Sequence, residues 1–94
     1  MKEFSSFPSE WERTMDIGEA IRERILELCA DRGISLNRLA TLSGITQSTL
    51  NNIISGRNKS TTVSTIKKLC DGLEISIVEF FQSGLFESLE QEVR

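Results

Sequence analysis

The chain of 94 residues contains no histidine, two cysteines and a single proline. The absence of histidine removes the commonest general base and the commonest sensor of physiological pH. Two cysteines without histidine are too few for a zinc site, which needs about four ligands. The sequence also lacks a nucleophile–base pair, a glycine-rich phosphate loop and an acidic metal cluster. We therefore predict no enzyme, no metal site and no cofactor.

Long apolar runs are missing as well. No stretch approaches the roughly 20 apolar residues that a membrane-spanning helix requires, and residues 1–6 lack the apolar centre of a signal peptide. With 38% hydrophobic and 27% charged residues, the composition is typical of a globular domain. We expect one cytoplasmic domain with no membrane partner.

Acidic residues are absent from the middle of the chain. The whole chain has a net charge of −3, yet residues 32–68 hold six of its eleven lysines and arginines and no carboxylate. Such a segment indicates a polyanion partner, because phosphate neutralisation depends on where cations lie rather than on total charge. Chance clustering on a solvated face is the alternative. The six cations are Arg32, Arg38, Arg57, Lys59, Lys67 and Lys68.

The two cysteines, Cys29 and Cys70, both stand beside leucine in aliphatic surroundings. This setting predicts buried structural thiols. A regulatory disulfide is the alternative if the fold brings the two residues together.

Capping residues and the helical spacing of apolar residues predict five helices. Asp16 and Glu19 predict the start of the first helix, and Gly33 predicts its end. The starts of the four later helices are predicted at Ser35, Thr46, Thr62 and Ser76.

The same signals divide the chain into three segments. In the N-terminal arm, Ser9 and Glu12 have capping-box spacing and favour a short helix. In the C-terminal tail, Leu85, Phe86 and Leu89 share one side of a predicted short helix, which either folds back on the core or meets a second subunit. The predicted segments are the arm (1–15), a helical domain (16–82) and the tail (83–94).

The outward face of the predicted third helix carries no charge. Asparagine and serine are poor helix formers, so helix stability does not explain their presence. Amides and hydroxyls are, however, the groups that read base edges in the major groove. A polar surface helix of indifferent residues is the alternative. The outward residues are Gln47, Ser48, Asn51, Asn52 and Ser55.

Residues 55–62 form a small, polar and basic connection after that helix. Its hydroxyls, backbone amides and two cations suit contacts to phosphate oxygens. A plain flexible loop is the alternative.

The run SLNRLATLSGITQSTL at residues 35–50 resembles the helix-turn-helix of the Cro/CI (XRE-like) family of bacterial and phage regulators. Ser55-Gly56-Arg57 and the stretches 65–70 and 73–81 resemble that family too, so the resemblance covers about residues 17–82. It implies an all-α fold, namely a compact five-helix bundle of the lambda-repressor-like DNA-binding type with short terminal extensions. Its third helix would lie in the major groove.

The resemblance also implies two sets of DNA contacts. Base reading is expected of Gln47, Ser48, Asn51 and Asn52. Contacts to phosphate or backbone are expected of Asn37, Arg38, Ser55, Arg57, Asn58 and Lys59.

Ala40 and Gly44 match small residues that let helices two and three pack closely. Glu74 stands where the family often has glycine, with Gly72 displaced, which predicts either a left-handed glutamate or a different turn.

We therefore predict a sequence-specific DNA-binding transcriptional regulator, acting as a repressor. It would bind double-stranded DNA as a homodimer, because a two-fold dimer doubles the few base pairs that one recognition helix reads. The alternative is an antitoxin-like or adaptor module with a protein partner, favoured by the acidic flanks and the apolar tail. The lack of carboxylates in residues 32–70 favours the regulator.

Overall fold

A computed structural model describes residues 15–93 of the chain. The short helix predicted from Ser9 and Glu12 lies outside these residues. Within them, the architecture is all-helical, and the predicted bundle of five helices is confirmed. The helices are α1 (Ile17–Arg32), α2 (Leu36–Ser43), α3 (Gln47–Ser55), α4 (Val63–Leu73) and α5 (Ile77–Phe80), followed by a 3-10 turn (Gly84–Phe86).

Every α-helix begins at the side-chain cap that the sequence predicts. At α1, the Asp16 carboxylate accepts the Glu19 backbone N–H, and the Glu19 carboxylate accepts the Asp16 N–H, which completes a capping box. The later helices each use a hydroxyl that accepts the backbone N–H three residues ahead. These hydroxyls belong to Ser35, Thr46, Thr62 and Ser76.

Helices α1 to α4 all end at a residue in the left-handed conformation. Gly33, Gly44 and Gly56 occupy this place after α1, α2 and α3. After α4 the residue is Glu74, with φ 60° and ψ 44°. The left-handed glutamate is therefore the correct one of the two predicted alternatives. A side chain in this conformation costs about 1–2 kcal/mol relative to the right-handed one.

The core lies between the inward faces of the five helices. Cys29 and Cys70 belong to it as free, buried residues, which confirms the prediction of structural thiols. Burial raises the pKa of both thiols, so they stay protonated and pack as small apolar groups at neutral pH. The largest fully buried side chains are Phe80, Ile25, Leu39, Leu50, Leu69, Leu73 and Cys70.

Helix α2 packs against α4 at a point where only glycine fits. A Cβ added to Gly72 would lie 2.4 Å from Ser43 Oγ and 3.0 Å from the Leu42 carbonyl carbon. By contrast, a Cβ on Gly44 would meet nothing within 4 Å, and its φ of 69° is what requires glycine. Gly44 is therefore needed for its backbone conformation. The prediction that it lets α2 and α3 pack closely is wrong. Ala40, with 1% exposure, is buried as expected.

Two arginines of α1 fasten the ends of later helices. The Arg24 guanidinium donates to the carbonyl oxygens of Phe80 (2.6 Å) and Glu79 (2.8 Å) at the end of α5. The Arg32 guanidinium donates to the Leu73 carbonyl at the end of α4. Carbonyl groups at a helix C-terminus lack intrahelical partners, so these contacts satisfy them. The sequence did not predict either contact.

The C-terminal tail folds back onto the bundle, which is one of the two placements predicted for it. Phe86 packs against the core, with its ring centroid 4.9 Å from that of Phe81. Leu89 forms an isolated parallel bridge with Met15, and Glu90 N–H donates to the Met15 carbonyl at 2.9 Å. Because the chain is extended there, the predicted tail helix is reduced to the single 3-10 turn.

Candidate nucleic-acid interface

Helices α2 and α3 are joined by a three-residue turn whose conformation is fixed at both ends. Ile45 N–H donates to the Ala40 carbonyl at 3.1 Å, which closes the end of α2 beyond the left-handed Gly44. Thr46 then caps α3 through the Thr49 N–H. Ile45 is partly buried against the core and anchors the turn. This is a helix-turn-helix in which α3 has a fixed direction relative to α2.

Opposite faces of α3 have different chemistry. Leu50 and Ile53, with 1% and 2% exposure, hold one face against the core. On the other face, Gln47, Ser48 and Asn51 are exposed. Gln47 and Asn51 are one helical turn apart, so their amides project from the same side. The outward surface is therefore an uncharged row of amide and hydroxyl groups, as the sequence predicted.

Asn52 differs from these three because it is half-buried and already bonded. Arg57 Nη1 donates to Asn52 Oδ1 at 3.2 Å. The Asn52 backbone carbonyl accepts the Asn58 N–H at 3.0 Å and the Ser55 hydroxyl at 3.3 Å. Four of the predicted contact residues are thus brought together at the end of α3.

The loop after α3 has a defined conformation. Gly56 (φ 85°) lets the chain turn back, and Asn58 Oδ1 accepts the Ser60 N–H at 2.9 Å in an Asx turn. Further along, the Lys59 carbonyl oxygen lies 3.3 Å from the position that a Cβ on Gly18 would occupy. The loop is therefore packed against the first turn of α1.

The basic segment is divided by the fold. The Arg32 guanidinium is bonded to the end of α4, and Lys67 Nζ pairs with Asp71 Oδ1 at 2.5 Å. All six residues are exposed, but Arg32 and Lys67 already have these partners, so the structure reduces the six predicted cations to four that a polyanion could contact. Among residues 15–93 these four have no carboxylate partner. They are Arg38, Arg57, Lys59 and Lys68.

The remaining predicted contact residues are also at the surface. Asn37 and Arg38 are exposed in the first turn of α2, and Ser55 of the cluster around Asn52 is likewise exposed. The Asn37 carbonyl accepts the Thr41 hydroxyl at 3.2 Å within α2. No hydrogen bond in the described chain links Asn37 or Arg38 to the cluster around Asn52.

The link between Arg57 and Asn52 is the feature of this surface that sequence reasoning missed. The two residues are five apart and belong to different elements, so helical spacing does not pair them. The available signal was Gly56 between them. A left-handed residue at a helix end reverses the chain and can return the next side chain to the helix.

Neither a metal site nor a membrane helix is found in residues 15–93. No group of three or more histidine, cysteine, aspartate or glutamate residues is arranged there to hold a metal ion. None of the helices in this part of the chain is both long and apolar enough to cross a membrane.

Comparison with known proteins identifies a family and a similar solved structure. Residues 24–82 match the Cro/C1-type HTH DNA-binding domain. A solved structure described as "Crystal structure of the prophage Lp1 protein 11" is similar, with 39% sequence identity and a TM-score of 0.69. The similarity covers 76% of this chain and 93% of that chain. Comparison with curated proteins gives no match.

Proposed function

The chain belongs to the Cro/C1-type helix-turn-helix family of DNA-binding domains, and we propose that it is a sequence-specific transcriptional repressor. It binds double-stranded DNA as a homodimer, with α3 in the major groove of each half-site. The observation that carries this proposal is the outward face of α3, which is exposed, free of charge and rich in amides. Such a protein acts where the DNA is, in the cytoplasm.

Base reading is assigned to the row of polar groups on α3. The amides of Gln47 and Asn51 each offer one acceptor and one donor, which match N6–H and N7 of adenine. The Ser48 hydroxyl donates and accepts, and so accommodates several base edges. Asn52 completes the set at the far end of the helix.

Phosphate contacts are assigned to the polar and basic groups that flank α3. Their exposure and the absence of a carboxylate partner within residues 15–93 support this role for the cations. Contacts of this kind fix the register of the protein on the duplex without reading sequence. The proposed set is Asn37, Arg38, Ser55, Arg57, Asn58 and Lys59.

Two of the three apolar residues predicted to share one side of the tail are poor dimer contacts, since Phe86 packs on the core and Leu89 pairs with Met15. Val78 on α5 is 72% exposed and Val63 on α4 is 68% exposed, which makes them the most exposed large apolar residues in the helices. We therefore assign the subunit contact to the exposed face of α5 that carries Val78. The protein-interaction alternative loses the support of an available apolar tail.

Selection from a randomised duplex DNA pool tests the proposal. The enriched pool is then titrated with protein at low and at near-physiological salt. A two-fold-symmetric motif, bound by two chains per duplex in sedimentation, is the expected result. The control is a Gln47→Ala/Asn51→Ala variant, whose exposed substitutions leave the fold intact and abolish the motif. Weak binding without a motif, lost as salt rises, would mean non-specific electrostatics alone.

A further inference from the structure

We infer that Arg57 is a positioning residue for base recognition, not only a phosphate contact. Its guanidinium holds the amide oxygen of Asn52, so that Asn52 presents its NH2 group to a hydrogen-bond acceptor on a base edge. The inference rests on the proposed function, and it names a specificity determinant within that function.

The orientation of the Asn52 amide follows from the chemistry of its partner. A guanidinium has five N–H donors and no acceptor. The atom that lies 3.2 Å from Arg57 Nη1 must therefore be the amide oxygen of Asn52, not its nitrogen. With the oxygen held on this side, the amide cannot turn over without losing the bond.

The backbone holds Arg57 in the required place. Gly56, before it, adopts the left-handed conformation that turns the chain back toward α3. Asn58, after it, donates its N–H to the Asn52 carbonyl at 3.0 Å. The Gly56 N–H donates to the Ile53 carbonyl at 3.2 Å, so Arg57 lies between two backbone bonds to α3, one of them to the residue that its side chain contacts. An amide oriented before binding loses less conformational freedom when DNA arrives.

The constraint changes what Asn52 can recognise. A free asparagine amide offers an acceptor and a donor together, which suits adenine. When the guanidinium occupies one lone pair of Oδ1, an approaching adenine N6–H must compete for that oxygen beside a positive charge. Within residues 15–93 the two N–H donors of Asn52 make no hydrogen bond. They suit O6 and N7 of guanine or O4 of thymine.

Gln47 and Asn51 provide the contrast on the same helix. Both are exposed, and neither side chain has a hydrogen-bond partner within the part of the chain that the structure describes. They keep the acceptor and donor pair that suits adenine. The recognition helix therefore has two kinds of amide, and Arg57 sets the difference.

Arg57 retains other N–H donors that can contact a phosphate, so loss of affinity alone does not test the inference. Lys59 is the matched control. It lies in the same loop and carries the same charge, but within residues 15–93 its side chain makes no hydrogen bond to Asn52. Removing either residue removes one positive charge, whereas only Arg57→Ala releases the amide.

The experiment selects DNA from one randomised pool with four proteins: the unaltered chain, Arg57→Ala, Asn52→Ala and Lys59→Ala. Arg57→Ala and Asn52→Ala are expected to change base preference at the same position of each half-site. At that position Arg57→Ala gains preference for adenine. Lys59→Ala lowers affinity for every sequence and keeps the preference at every position.

The double variant Arg57→Ala/Asn52→Ala supplies a second readout on the site that the unaltered chain selects. If Arg57 acts through Asn52, the fold-loss of affinity in the double variant is smaller, by about threefold or more, than the product of the fold-losses in the two single variants. Arg57→Met, which keeps the aliphatic stem, replaces Arg57→Ala if that variant does not fold.

The inference is overturned if Arg57→Ala selects the unchanged motif at every position and its loss of affinity multiplies with that of Asn52→Ala. Arg57 would then hold phosphate alone, while the proposed function would stand. Failure of the proposed function gives a different result. If the unaltered chain enriches no motif at all, both the proposed function and the inference are overturned.

Discussion

The arginines of α1 and the cations around α3 carry the same charge and use it differently. Arg24, whose side chain is 12% exposed, and Arg32 donate to carbonyl oxygens at the ends of α5 and α4. Arg38 and Lys59 are exposed and have no carboxylate partner in residues 15–93. A count of charges along the chain treats these groups alike. The fold separates cations that hold the bundle together from cations that are proposed to contact DNA.

The strongest test of this comparison is Arg24→Ala. We expect it to lower the free energy of unfolding by about 2–3 kcal/mol, because it leaves the carbonyls of Phe80 and Glu79 without their charged donor. Urea denaturation followed by circular dichroism measures the loss. DNA affinity of the folded variant should not change.

Arg38→Ala is the matched control for that experiment. The same substitution at an exposed residue should change stability by less than about 0.5 kcal/mol, while it weakens DNA binding. Equal losses of stability in the two variants would contradict the division between scaffold arginines and interface cations.

The second prediction concerns the reading face of α3. Gln47→Ala should weaken binding to the selected site by about 1–3 kcal/mol, because it removes the bidentate base contact proposed for this residue. Binding to a scrambled duplex should weaken far less. Fluorescence anisotropy with both duplexes at one salt concentration measures the two losses. Equal losses on both duplexes would mean that Gln47 contacts the phosphate backbone of the DNA and does not read a base.

The third prediction concerns the turn after α4. Glu74→Gly should stabilise the fold by about 1 kcal/mol, because glycine adopts a φ of 60° without the steric cost of a side chain. The opposite substitution can be made at the end of α1, where Gly33→Ala should destabilise the fold by a similar amount. Thermal unfolding compares the pair. Changes of the same sign in both variants would show that backbone strain does not control these turns.

Local signals in the sequence were enough to predict the helices. A cap such as Asp16 with Glu19, or a left-handed residue such as Gly33, acts within one helical turn and is therefore visible in a short window. The polar face of α3 was visible for the same reason, since helical spacing alone puts Gln47 and Asn51 on one side.

Contacts between distant residues were not predictable in this way. Arg24 bonds to Glu79 and Phe80, which are 55 and 56 positions away in the sequence. Arg32 bonds to Leu73, which is 41 positions away. In each case the acceptor is a backbone carbonyl, which any residue type supplies. The contact of Gly72 with Ser43 likewise exists only after α2 and α4 have packed. No residue type marks such partners, so only the assembled fold reveals them.

The smallest expected effect comes from comparing Lys59, which has no carboxylate partner in residues 15–93, with Lys67, which has one. Lys59→Ala should reduce the dependence of log affinity on log salt by about 0.9, the value for one released counterion on duplex DNA. Lys67→Ala should leave that slope unchanged, since Lys67 already pairs with Asp71 and its pKa is raised, first through that hydrogen bond. Affinities measured between about 50 and 200 mM salt, the range over which phosphate contacts weaken most visibly, give both slopes.

If Lys67→Ala lowered the slope as much as Lys59→Ala does, the ion pair would have to open on DNA. The interface would then extend from the loop after α3 onto α4.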